Sequence, residues 1–365
     1  MINLQDKILL NFIKSEVFNS IIGDTPLNIT QLSFSEEKAS ISGRVSFNQP
    51  SVFKLRLEFE KQPDIICILK LKSEQIIRCG MELINFDNSS NFQKILEGPH
   101  NIIGYDNSHI RESRIYDNIS ESLKGYVPKI FGAFYDAESD IYAILMHEYK
   151  NDVAFDEKML LKSLDAITDF HAYYYNRPEA IDNLLLNHYT TDNYSEQKNI
   201  LLGMLQRLEE DTAAVFSEKH QKLLFDFAMH IDEYHAKLPE HKTLTHNDFT
   251  PRNIFCQNDG LIIYDWELAC YQCPEHDLIE FLLFVMSELT EEQILLIVNA
   301  FKQMLFAKCK VSFTDEVYNE ILAFNLLEYC VNRLSLYRVC NKALRVDFID
   351  GLAKNAERLL TILNI

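Results

Sequence analysis

His246-Asn247-Asp248-Phe249-Thr250-Pro251-Arg252-Asn253, followed shortly by Ile262-Ile263-Tyr264-Asp265-Trp266-Glu267, is the stretch on which the reading of this chain turns. Short β-type runs at Thr243 to Thr245, Asn253 to Cys256 and Leu261 to Tyr264 surround it, and Asn258-Asp259-Gly260 has the composition of a hairpin turn. A carboxylate, an amide and a second carboxylate are thereby held in tight register. Five positions separate Asp248 from Asn253 and twelve separate Asn253 from Asp265, room for one turn and one hairpin. Phosphoryl transfer from ATP needs this set. One carboxylate accepts or orients the proton of an attacking hydroxyl, while an amide oxygen and another carboxylate hold the magnesium that neutralises phosphate oxygens.

Working outward, the chain before this stretch is β-rich and the chain around it is helical. Apolar spacing from residue 2 to 22 predicts a leading amphipathic helix. Ile29 to Phe34, Val52 to Phe59 and Ile65 to Lys72 follow as strands separated by polar segments, which suggests an antiparallel sheet. A helical stretch around Gln75 to Asp87 leads into a polar segment, then a helix from about Ile110 to Leu123 stopped by Gly125. Ile130 to Tyr135 and Ile141 to Tyr149 complete the sheet, joined by a turn-like Asp136 to Asp140. Beyond Asp152 the pattern is mostly helical, with Thr290-Glu291-Glu292-Gln293 as a capping-box start. The expected fold class is α+β: a bilobal chain with an N-terminal antiparallel sheet lobe and a larger, mainly helical C-terminal lobe. In Ile65-Ile66-Cys67-Ile68-Leu69-Lys70-Leu71-Lys72, alternation puts Ile68, Lys70 and Lys72 on one face, so one lysine is placed to reach phosphates.

The pattern H-x-D-x-x-x-x-N, then apolar-apolar-x-D-W-E, then Asp277-Leu278, resembles the aminoglycoside phosphotransferase and choline kinase family, small-molecule relatives of the protein kinases. The resemblance implies a protein-kinase-like fold, with residues 1–147 as the nucleotide-binding lobe, 148–152 as hinge and 153–365 as the helical lobe. It implies Asp248 as catalytic base, Asn253 and Asp265 as magnesium ligands, and His246 and Asp277 as braces of the catalytic loop. Lys70 is the implied phosphate lysine, because Ile68 two positions earlier would pack on adenine; Lys72 is the alternative. Glu112, in Arg111-Glu112-Ser113-Arg114-Ile115-Tyr116, resembles the glutamate that pairs with that lysine. No G-x-G-x-x-G occurs, and Ser51 is the implied phosphate-touching serine of the covering loop. Met146-His147-Glu148-Tyr149 resembles the hinge that binds adenine through backbone groups, which brings Glu148 into the cofactor site. Residues 87 to 108 read as an insertion.

Composition sets the outer limits. At 365 residues and 47% hydrophobic the chain is long enough for two lobes, each with an apolar core. The longest apolar run, Leu278 to Met286, is broken by Glu280 and is too short for a membrane span, so it is expected to be a buried helix. No secretory signal is visible at the N-terminus, and the expected location is the cytoplasm. Eight cysteines then read as small buried hydrophobes; Cys270 and Cys273 form a C-x-x-C, but nothing at ligand spacing completes a zinc site. A net charge of −19 argues against nucleic acid as a partner and suits a cationic or neutral one. The expected function is an ATP-dependent kinase, with GTP as a possible donor, acting with Mg²⁺ on a hydroxyl of a small molecule: an amino sugar, an amino alcohol, an amino acid or a secondary metabolite. A catalytically silent nucleotide-binding scaffold and a protein kinase are the alternatives, the latter opposed by the missing A-P-E segment.

Overall fold

The structure, a computed structural model, describes residues 28–32, 52–72, 107–136, 141–149, 156–210, 216–257, 260–338 and 348–365. The expected leading helix, the helical stretch at 75–87, the covering loop with Ser51 and nearly all of the insertion at 87–108 lie outside the described residues.

Five antiparallel strands form the sheet: β1 (Asn28–Leu32), β2 (Val52–Glu58), β3 (Ile65–Lys72), β4 (Ile130–Asp136) and β5 (Ile141–His147), in the order β1-β2-β3-β5-β4. β3 is central, and its two faces differ as the alternation demands. Cys67, Leu69 and Leu71 enter a small apolar cluster with Leu55, Leu57 and Leu145. Ile68, on the opposite face, packs instead against the large core of the helical part. Register sets Lys70 opposite Val52 on β2 and Ile144 on β5. A slip of one residue would drive Lys70 into the apolar cluster, so the buried face of the sheet fixes which way the lysines point.

Helix α1 (Ser108–Asn118) is shorter than expected. Ile119 is extended at ψ 147, and Glu121–Tyr126 forms a separate 3-10 turn with Gly125 inside it. Ile119, Leu123 and Val127 are all buried, and their four-residue spacing is that of one helix face, so the apolar pattern runs on across a break that the backbone makes at Ile119.

The helical part contains α2 (Glu157–Tyr174), α3 (Thr191–Glu210), α4 (Glu218–Met229), α5 (Ile231–His235), α6 (Glu275–Val285), α7 (Glu291–Cys309), α8 (Asp315–Tyr329) and α9 (Ile349–Ile362). Side-chain N-caps start several of them, and the capping box at Thr290 and Gln293 is present with both of its bonds. α6 is buried from Glu275 to Leu283, as its apolar run predicts, yet it carries Glu275, Asp277 and Glu280 into the interior. α8 continues directly into a π-helical turn, Cys330–Leu334. Short strands β6 (Asn187–His188), β7 (Thr243–Thr245) and β10 (Cys270–Gln272) form a small sheet, and β8 (Ile254–Gln257) pairs with β9 (Gly260–Ile263) as the expected hairpin. Among the described residues, no helix is long and apolar enough to cross a membrane. Cys270 and Cys273 are buried free thiols.

Candidate active site

The loop from His246 to Asn253 leaves β7 and is shaped by side chains that hold its backbone. Asp277, fully buried on α6, accepts the N–H groups of His246 and Asn247, both at 2.9 Å, and a ring N–H of His171 at 3.0 Å. Burial works against its ionisation, but these donors prevail and keep the carboxyl below its ordinary range. The His246 ring donates from Nε2 to the Tyr264 carbonyl at 3.0 Å and accepts the Asp248 N–H on Nδ1 at 3.2 Å. That neutral tautomer ties the loop to the segment that follows β9 and carries Asp265. Asn247 sits in the left-handed region at φ 58, a conformation asparagine tolerates better than most residues.

Asn253 donates from its side-chain nitrogen to the Asp248 carbonyl at 2.9 Å and to Asp248 Oδ2 at 2.8 Å. Its side-chain oxygen is thereby turned away from Asp248. Burial pushes the Asp248 carboxyl up, opposed by the charge of Arg252 and reinforced by that of Asp265, to about 6. Its Oδ1 is buried with no hydrogen-bond partner among the described residues.

Asp265 follows β9, also in a left-handed conformation at φ 68. Trp266 beside it is fully buried, donates from its ring nitrogen to the Ile263 carbonyl at 3.0 Å, and packs with ring centroids 4.6 Å from His246 and 4.7 Å from Phe170. The Asp265 N–H donates to the hydroxyl of Tyr116 at 3.2 Å, and that hydroxyl donates to Glu112 Oε1 at 2.8 Å. The fully buried Glu112 then receives both sheet lysines on its other oxygen, Lys70 at 2.8 Å and Lys72 at 2.7 Å. Lys70 also pairs with Asp265, and Lys72 with Glu267. Burial disfavours the charged form of Glu112, but the two ammonium groups hold its carboxyl far below the usual range. Burial likewise opposes the charge on Lys70; the carboxylates of Asp265 and Glu112 outweigh it and hold the lysine protonated.

Of the site residues expected from sequence, Lys70, Glu112 and Asp265 thus meet in one ion cluster, and Asp248 and Asn253 meet in the adjoining loop. The two candidate lysines both enter the cluster; the contact to Asp265 belongs to Lys70. Ser51 lies outside the described residues. Glu148 stands apart: its N–H goes to Ile66 at 3.4 Å, its carbonyl contacts the His147 ring at 2.6 Å, and its carboxylate pairs with Lys54. His171 and Tyr174 on α2 are buried, whereas Tyr173 between them in the chain is exposed.

Three contributors, Tyr116, Arg111 and Glu267, were not assigned a role from sequence. Tyr116 links Glu112 to Asp265, at the i, i+4 spacing of one helix face. Arg111 donates to the carbonyls of Glu267 at 2.7 Å and Leu185 at 2.9 Å, fixing α1 against the turn after Asp265. Lys72 shares Glu112 with Lys70. Glu267, two positions after Asp265, has a carboxylate oxygen grouped with those of Glu112 and Asp265 within 4.8 Å. Oxygen donors of this kind, with the side-chain amide of Asn253, suit a hard cation such as Mg²⁺.

No curated protein matches the sequence. Among solved structures, the chain is similar to the choline kinase LicA from Streptococcus pneumoniae, at 14% identity with a TM-score of 0.51 and 99% of each chain covered. The same choline kinase in complex with AMP gives a TM-score of 0.50 at 15% identity, again over 99% of each chain. A protein from Haemophilus somnus 129PT described as a fructosamine-3-kinase gives 0.50 at 11% identity, covering 95% of this chain and 96% of that one. These likenesses show the fold, an antiparallel sheet followed by a mainly helical part as in protein kinases. The family model of the phosphotransferase enzyme family matches residues 110–308, more than half of the sequence, from within α1 through the loop that carries Asp248 and Asn253 into α7, and the chain belongs to that family.

Proposed function

We propose that this chain transfers the γ-phosphoryl group of ATP, or of GTP, to a hydroxyl of a small molecule. The observation that carries the reading is the meeting of Lys70, Glu112 and Asp265 in one cluster beside a loop that holds Asp248 against Asn253. In this reading residues 148–152 are a hinge between the nucleotide lobe, 1–147, and the acceptor lobe, 153–365. Lys70, oriented by Glu112, binds phosphate oxygens. Ser51 and the hinge residues around Glu148 contact phosphate and adenine; base contact at Glu148 requires the His147 ring to turn away from its carbonyl. Asn253 and Asp265 would hold Mg²⁺, which when bound supplies charge neutralisation of the phosphates. Asp248 takes or orients the proton of the acceptor hydroxyl, and its raised carboxyl is a better proton acceptor than an exposed aspartate. The acceptor is an amino sugar, amino alcohol or secondary metabolite, and a net charge of −19 favours a cationic one. The likeness to a choline kinase solved with AMP supports a nucleotide donor.

A thermal-shift comparison of Mg·ATP with ATP plus EDTA, followed by a transfer assay over a panel of acceptors, tests the reading. Stabilisation that needs the metal, with transfer to at least one acceptor, is expected; binding without turnover across a broad panel would favour the scaffold. A pH profile adds a second check. Asp248 must be ionised to accept a proton, so kcat/KM is expected to fall as pH drops through about 6, where its carboxyl takes up a proton in the free enzyme. A profile flat down to pH 4.5 would remove Asp248 from that role.

A further inference from the structure

We propose that Glu280 and Arg333 are a positioning pair that fixes Asp248 by holding the two peptide groups on either side of it, an inference that rests on Asp248 being the base. The Phe249 N–H, which belongs to the peptide following Asp248, donates to Glu280 Oε2 at 2.9 Å. The Asn247 carbonyl, which belongs to the peptide preceding Asp248, accepts from Arg333 Nη2 at 3.1 Å. The aspartate is thus gripped through both of its flanking amides, by a carboxyl group on one side and a guanidinium on the other.

Neither side chain comes from the loop. Glu280 is on α6, one turn beyond Asp277 and on the same face, so a single helix holds three of the four N–H donors from His246 to Phe249, that of Asp248 going instead to His246. Arg333 comes from the π-helical turn after α8, an irregularity of the kind that gathers at functional sites. Both residues are buried, at 0% and 4% exposure.

Stability does not account for this placement. Glu280 Oε1 is buried without a hydrogen-bond partner among the described residues, and a half-satisfied buried carboxyl costs free energy. Apolar replacements of similar volume commonly do as well or better for folding. What an apolar pair would not do is hold the Asn247 carbonyl and the Phe249 N–H. Asn247 is in the left-handed region, so the direction of the chain entering Asp248 depends on contacts that keep it there.

The test compares wild type, Glu280→Leu/Arg333→Met and Glu280→Gln in the full chain. Melting temperature, Mg·ATP affinity by calorimetry, turnover of phosphoryl transfer, and amide hydrogen exchange at Asp248 and Phe249 are measured. The double variant is expected to fold and to bind Mg·ATP like wild type, with turnover lowered about a hundredfold because the base is misplaced. Exchange at Phe249 is expected to be faster than in wild type, because its N–H loses its acceptor. Glu280→Gln, whose amide oxygen still accepts that N–H, is expected to keep turnover within about threefold and exchange protection intact. Turnover in the double variant within about twofold of wild type would overturn the proposal, as would a loss explained wholly by weaker nucleotide binding. Should wild type itself transfer no phosphoryl group, the kinase reading fails separately, and exchange at Phe249 still decides the clamp: lost in the double variant and kept in Glu280→Gln upholds it, unchanged in both refutes it.

Discussion

Asp248→Ala is expected to lower the turnover of phosphoryl transfer by about a thousandfold while leaving Mg·nucleotide affinity within about twofold, since positioned acid–base groups contribute on the order of 10²- to 10⁴-fold. The carboxylate is held by Asn253 at 2.8 Å on one oxygen, and its other oxygen is buried and unpartnered among the described residues, ready to accept a hydroxyl proton. Its pairing lies on the loop and not in the lysine cluster, so the nucleotide contacts proposed for Lys70 and Glu112 survive its loss. Asp248→Asn is the companion variant: it keeps the shape and the Asn253 contact but removes the basicity, and it should be as inactive as alanine. Steady-state kinetics with isothermal calorimetry check both. Turnover retained in either variant would show that proton removal occurs elsewhere.

Asp265→Ala is expected to act on binding first. Its carboxylate pairs with Lys70, and Lys70, Lys72, Glu112 and Glu267 form the rest of the cluster. Two cations face three carboxylates there. Removing Asp265 takes away a proposed metal ligand worth several kcal/mol of phosphate charge neutralisation, so Mg·ATP affinity should fall by about a hundredfold or more, with transfer abolished. Lys70 keeps Glu112 as a partner, so the fold should persist and the melting temperature of the apo protein should change little. Calorimetric titration of Mg·ATP, with metal-free ATP as a control, separates a lost ligand from a damaged pocket. Undiminished affinity would move the metal to another carboxylate, with Glu267 the nearest candidate.

The parts of this molecule legible in the sequence are those set by local pattern. Alternation along Ile65 to Lys72 gave the facing of the lysines, and the spacing of Asp248, Asn253 and Asp265 gave a loop and hairpin, because strand period and turn chemistry act within a few residues. The pairing of Lys70 with Glu112 spans a long stretch of chain and was reached only by resemblance. Contacts that join distant elements through backbone atoms left weaker traces. Arg111 acts on main-chain carbonyls, which any sequence supplies. Arg333 does the same from a π turn that no propensity marks. Glu280 did leave a sign, as the charge interrupting Leu278 to Met286, but a lone carboxylate in an apolar helix does not say which N–H it meets. The break of α1 at Ile119 left no sign in the apolar pattern: Ile119, Leu123 and Val127 recur at the four-residue spacing of a helix face, so periodicity reads straight across it.

Trp266 is the sole tryptophan of the chain, wedged between Asp265 and the His246 ring with no exposure to water. The protein therefore carries its own optical probe at the joint between the two halves of its chemistry. Excitation near the red edge of indole absorption reads one site only, without labels or engineered dyes. A change in emission on adding nucleotide reports the surroundings of Asp265, and the shift to longer wavelength on denaturation reports the same few ångströms becoming wet.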